Sequence, residues 1–125
     1  MLTTTAITLA LMFQSGSGLA YGEALSRADK YKDDPKAAEW RAQKMDPFLK
    51  PKTTALFDRC YSSSLRRRMS FSLVVSFKDG KFDRVDRDSE DQVAVCMADV
   101  FAEYRWPTPP HPDFAEKFNL DLAPN

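Results

Sequence analysis

Only one histidine, two cysteines and four glycines occur among the 125 residues of this chain, and neither sign of charge is in excess. Eighteen basic residues balance 18 acidic ones. With no net field the chain has no global pull toward nucleic acid or an anionic bilayer. Two thiols and His111 cannot supply a closed tetrahedral metal set without a carboxylate. His111 stands between Pro110 and Pro112, which predicts an exposed loop and not a catalytic pocket. The glycines form neither a phosphate-cradling loop nor a dinucleotide fingerprint. Hydroxyls are plentiful at Ser62, Ser63, Ser64, Ser70, Ser72 and Ser76, yet nothing resembles a Ser-His-Asp order or a nucleophile elbow. No apolar run approaches the ~20 residues that span a bilayer. Enzyme activity, cofactors, metals, nucleic acid and an integral membrane location are therefore not expected, and the function is sought in binding to another protein.

What is present begins with an apolar stretch, Ala6 to Phe13, followed by a polar stretch, Gln14 to Gly18, and the small-x-small triplet Gly18-Leu19-Ala20. Residues 1–20 read as a signal peptide cleaved near Ala20, although no Lys or Arg precedes the apolar core. The two cysteines agree with export. Cys60 and Cys96 each fall on the apolar face of a predicted helix, and an exported protein with one even pair of thiols is expected to oxidise them. A redox-active pair would favour a Cys-x-x-Cys spacing or a polar site, so a structural bridge is expected.

Tyr21 to Asp34 is charged and without evident period, and reads as a solvated tether. Asp33 or Asp34 can cap a helix entered by Pro35. Ala38, Ala42, Met45 and Leu49 recur there at helical spacing, with Trp40 to one side, and Asp46-Pro47 interrupts the pattern. Thr53 or Thr54 can cap the next helix, predicted to run to about Arg67 with Leu56, Phe57, Cys60, Tyr61 and Leu65 as its stripe. Met69, Phe71, Leu73, Val75 and Phe77 then alternate with Ser70, Ser72, Val74, Ser76 and Lys78, a strand with one buried and one wet face. Asp79-Gly80 is the signal of a type I′ hairpin turn. The return strand, Phe82 to Arg87, has its apolar residues Phe82 and Val85 at an odd spacing that predicts a bulge. Ser89-Glu90-Asp91-Gln92 matches a capping box with Ser89 as cap. The helix it opens buries Val93, Cys96, Met97, Val100, Phe101 and Tyr104, and Trp106-Pro107 ends it. After a proline-dense stretch, Phe118, Leu120 and Leu122 alternate with polar residues as a last strand. The order α-α-β-β-α-β predicts an α+β fold: a three-stranded antiparallel sheet with two helices on one face and an extra N-terminal helix. Residues 21–52 hold the tether and that extra helix, and 53–125 the α+β domain.

The Cys60-Tyr61 pair, the strand ending in Asp79-Gly80, Cys96 in the following helix, Trp106-Pro107-Thr108-Pro109 and Phe118-Asn119-Leu120 occur in that order. In this set the stretch from about Thr53 to Leu122 resembles the TonB-like C-terminal domain of the AgmX/PglI type, found in myxobacterial envelope and gliding-motility proteins. The resemblance implies a periplasmic domain with a Cys60–Cys96 disulfide, used for protein–protein contact and not for catalysis. TonB-type transducers also carry an anchoring transmembrane helix and a long proline-rich spacer; neither is seen here, so energy transduction is not expected. Trp106 stands where Phe is commoner.

Arg66-Arg67-Arg68 is the sharpest charge cluster. It ends a predicted helix, where cations suit the macrodipole, or serves as a docking patch for an acidic partner. Trp106 plugs the end of a small core or joins the prolines in a contact surface. The expected function is an exported protein-interaction domain of the cell envelope, periplasmic or secreted. It would bind a protein partner by strand addition along the Phe82–Arg87 or Lys117–Leu122 edge. The alternatives are a structural subunit of an envelope assembly, docking through the N-terminal helix or Arg66–Arg68, and a secreted small hydrolase or ligand carrier. No oligomeric state follows from the sequence.

Overall fold

The computed structural model describes residues 18–61 and 67–124. Three strands form one antiparallel sheet: β1 (Met69–Lys78), β2 (Lys81–Arg87) and β3 (Ala115–Leu122), in the order β2-β1-β3. The expected α+β fold is present. The β1 alternation sets the architecture, because its odd residues Phe71, Leu73, Val75 and Phe77 all face the main core. A two-residue turn joins β1 to β2, with Asp79 at φ 54° and Gly80 at φ 78°, the left-handed pair a type I′ turn demands. The expected bulge is there: Phe77 faces Phe82 but Ser76 faces Arg84, so Asp83 is the extra residue.

The main core lies between this face and the helices. A helical run begins at α2 (Pro35–Trp40), where Asp34 caps by accepting from the Ala37 N–H at 2.9 Å. It continues through a π-helical turn (Arg41–Met45), α3 (Asp46–Leu49), a 3₁₀ turn (Lys50–Lys52) and α4 (Thr53–Cys60). The break expected at Asp46-Pro47 does not occur. Proline lacks an N–H and clashes with the carbonyl four residues back. Here the turn before it is widened, Asp46 N–H bonding the Arg41 carbonyl five residues back, which makes room for the ring. The widening also shifts the apolar face: Ala37, Trp40 and Met45 are buried while Ala38 and Ala42 are exposed, contrary to the expected stripe. Because α4 continues this run, it has no side-chain cap; the Thr53 hydroxyl donates back to the Leu49 carbonyl. It stops at Cys60, short of Arg67. Leu65 and Ser62 to Ser64 lie outside the described residues.

Helix α5 (Gln92–Glu103) buries Val93, Met97, Val100 and Phe101, as its stripe predicts, with Cys96 and Tyr104 partly buried against them. Its cap is Asp91, which accepts from the Val93 N–H at 2.9 Å, and not Ser89, whose hydroxyl instead accepts from the Asp91 N–H at 3.1 Å. Cys60 and Cys96 are disulfide-bonded with Cα atoms 5.5 Å apart, which ties α4 to α5.

Two expectations are overturned on the opposite face. The segment expected to be a tether is helix α1, residues 18–31, and it covers the sheet face expected to be wet. Ala24 and Ala28 pack on Val74 and Ala115, with Tyr21 at the margin, so β1 is buried on both faces from Phe71 to Phe77. The hydroxyl of Ser76, 1% exposed on this face, has no partner among the described residues. The apolar stretch 6–13 lies outside the described residues, and Gly18-Leu19-Ala20 forms the first turn of α1. Among the described residues no helix is long and apolar enough to cross a membrane.

Candidate functional site

Helices cover both faces of the sheet, which leaves its two edges, β2 and β3. They differ in character. The β2 edge is short, bulged at Asp83 and lined by alternating charge, three devices that discourage pairing. The β3 edge is regular: all eight of its residues pair in unbroken register with Met69–Ser76 of β1.

The direction of the backbone groups along β3 follows from Ser72. Its N–H donates to the Asp88 carboxylate at 2.8 Å and its carbonyl accepts from the Asp88 N–H at 3.2 Å, so both point toward the β2 side. The Phe77 N–H, in contrast, donates to the Phe114 carbonyl at 2.8 Å, toward the β3 side. In an antiparallel pair, opposed residues alternate between exchanging both bonds and exchanging none. Ser72 opposes Asn119, so Asn119 is a residue whose N–H and C=O turn away from β1. Lys117 and Asp121 share its parity. Ala115 does too but is buried, so three exposed residues offer outward backbone donors and acceptors.

The flanks of this edge are chemically unlike. On the main-core side the half-buried Phe118 meets the half-buried Trp106 at 5.8 Å between ring centroids and the buried Phe101 at 5.4 Å, with the ring of Phe48 at 5.4 Å beyond Trp106. The Trp106 indole N–H donates to the Phe101 carbonyl at 2.9 Å, closing the C-terminus of α5. At the start of β3, α1 and the π turn converge from opposite faces on a cavity of 270 Å³ lined by Ala28, Asp29, Lys32, Arg41, Glu116 and Lys117. Glu116 is 6% exposed and accepts from Arg41 Nε at 2.7 Å. Burial pushes its carboxyl above the ordinary range, and the Arg41 bond only partly offsets that.

Of the residues singled out from the sequence, Cys60 and Cys96 form the disulfide, and Trp106 is wedged among rings beside the β3 edge. Arg66 lies outside the described residues, Arg67 pairs with the α5 cap Asp91, and Arg68 is exposed at the start of β1. His111, expected in an exposed loop, is half-buried: its ring stacks on Tyr31 at 4.8 Å and its Nε2 lies 2.9 Å from Asp34. The reason is that the proline-rich loop packs back on the fold, held by Trp40 Nε1–H on the Thr108 carbonyl at 2.7 Å and the Gly80 N–H on the Pro112 carbonyl at 3.0 Å. Sequence reasoning missed Lys32, Arg41 and Glu116, which come from three separate elements. Among the described residues no cluster of three or more His, Cys, Asp or Glu could hold a metal ion. No family model, curated protein or solved structure matches the chain.

Proposed function

We propose that this chain is an exported, non-enzymatic protein-interaction domain of the cell envelope, TonB-like in character. It captures an extended segment of a partner protein as a fourth strand along β3. The observation that carries this reading is the regular outer edge of β3, with outward backbone groups at the exposed residues Lys117, Asn119 and Asp121. Main-chain hydrogen bonds would supply affinity and alternate side chains selectivity. The Cys60–Cys96 disulfide supports an oxidising compartment, periplasmic or extracellular, since such bonds seldom persist in a reducing cytosol.

Proline separates backbone capture from side-chain contact. Asn119→Pro deletes an outward donor while leaving the β1 ladder intact, so it should abolish partner capture with a cooperative melt retained. Asn119→Ala should bind as the parent does. For β2 the matching test is Val85→Pro and not Arg84→Pro, because Arg84 opposes Ser76 with its backbone turned inward. Capture from envelope extracts, identified by mass spectrometry, is the readout. If binding survives Asn119→Pro but falls with Arg66→Ala and Arg68→Ala together, strand addition is wrong and charge docking replaces it.

A further inference from the structure

The cavity at the start of β3 gives the proposed edge a closed end. Three cationic side chains meet there from three elements: Lys32 just past α1, Arg41 from the π turn and Lys117 from β3 itself. Two carboxylates share the space, but they are not equivalent. Glu116 is already bound to Arg41 through Nε, which leaves the terminal nitrogens of that guanidinium without a partner among the described residues. Asp29 lies on the exposed side of α1. Neither Lys32 nor Lys117 makes an ion pair among the described residues. An anion entering from the β3 edge would therefore find three unfilled cationic donors within one small cavity.

The sense of β3 says which anion. The cavity is at its N-terminal end, so a strand laid antiparallel along the outer edge runs from Asp121 toward Lys117 and arrives there with its own C-terminus. We propose that the partner segment is a free C-terminus: it pairs antiparallel with Asp121, Asn119 and Lys117, and its terminal carboxylate is held by Lys32, Arg41 and Lys117. This rests on the strand-addition reading above and adds direction and terminus to it. Side chains of the peptide that fall on the other flank meet Phe118, Leu120 and the Trp106 ring, so alternate apolar residues would suit that side. Strand addition and capture of a C-terminal carboxylate are each recurring modes of peptide recognition, and this edge would combine them.

The probe is an array of random octapeptides, printed in matched free-acid and C-terminally amidated forms and exposed to the disulfide-bonded chain. Free-acid peptides with alternate apolar residues should be retained, and their amides should bind about tenfold more weakly or worse, since each good charge-assisted bond is worth a factor of that size. Lys32→Gln and Lys117→Gln, both at exposed positions, should each erase most of the acid–amide difference without moving the melting transition. Equal retention of acid and amide, still abolished by Asn119→Pro, overturns terminus capture and leaves strand addition standing. An acid preference indifferent to both glutamine variants overturns the location. Retention indifferent to Asn119→Pro, or no retained peptide at all, overturns strand addition and this proposal with it.

Discussion

Asp34 joins three distant parts of the chain through one carboxylate. It caps α2, lies 2.9 Å from His111 of the proline-rich loop, and follows the last turn of α1. Tyr31 from that turn stacks on His111 and donates its hydroxyl to Asp113. The His111 hydrogen bond holds the Asp34 carboxyl below its ordinary range, and the Tyr31 hydroxyl does the same for Asp113, whose acceptance raises the Tyr31 phenol in turn. A carboxyl lowered on folding contributes stability above the unfolded value, about 3.9 for Asp, that is lost as pH falls through the folded value. Asp34→Asn keeps a side chain able to cap but removes the charge. It should melt below the parent at neutral pH, and the gap should close as pH falls below the ordinary Asp value of about 3.9. Melting temperatures on both sides of that value check it, and a gap that stays constant would mean the charge contributes nothing. The cap was legible in the sequence, because Asp-Pro ahead of a helix has a local meaning. The partnership with His111 was not, because it joins residues 77 positions apart.

At the scale of elements, legibility followed the strength of the local pattern. Strand β1 announces itself by five large apolar residues at period two, and the hairpin by Asp79-Gly80. Helix α1 carries an equally regular stripe in Tyr21, Ala24, Ala28 and Tyr31, but two of its four members are alanines and charges surround them. A stripe of small side chains is quiet in a sequence and weak in a structure, since little apolar area is buried per turn. The π turn was hidden for another reason: Pro47 is a breaker by every local rule, and only tertiary packing of Trp40 and Met45 on the core makes the widened turn worth keeping. The quietness of α1 has a consequence. A helix of this length is marginal alone in water, so its order depends on the sheet beneath it. Ala28→Asp puts a charge at a position 6% exposed over Val74 and Ala115. We expect amide protection across 18–31 to fall to near that of an unfolded peptide while β1 and α5 keep theirs. Hydrogen exchange read by mass spectrometry decides it; loss of protection in β1 as well would make α1 an integral part of the core.

Across the whole molecule, one covalent tie joins distant parts of the chain. The bridge from Cys60 to Cys96 closes a loop with a sequence separation of 36, and that loop contains the entire β1–β2 hairpin. Its two ends sit in helices that also pack by their own apolar residues, Leu56 and Phe57 on one side and Met97 and Phe101 on the other. The fold therefore does not need the bridge to be specified, only to be secured. Constraining a loop of that size in the unfolded chain is worth roughly 3–4 kcal/mol on the chain-entropy account, and observed losses for native bridges run about 2–5. Against a total stability of about 5–15 kcal/mol that is a large share. Cys60→Ser with Cys96→Ser should thus remain folded and cooperative, with a melting temperature lower by roughly 12–32 °C, taking about 3–4 kcal/mol at about 4–8 °C per kcal/mol. Adding reductant should move the parent to the same value and leave the double variant unmoved. A parent indifferent to reductant would show that the cysteines are not bonded in solution. Thiol trapping on protein taken from its own cells completes the test. Blocked thiols at capture support export, and free thiols there would place the working protein in a reducing compartment, removing the envelope reading.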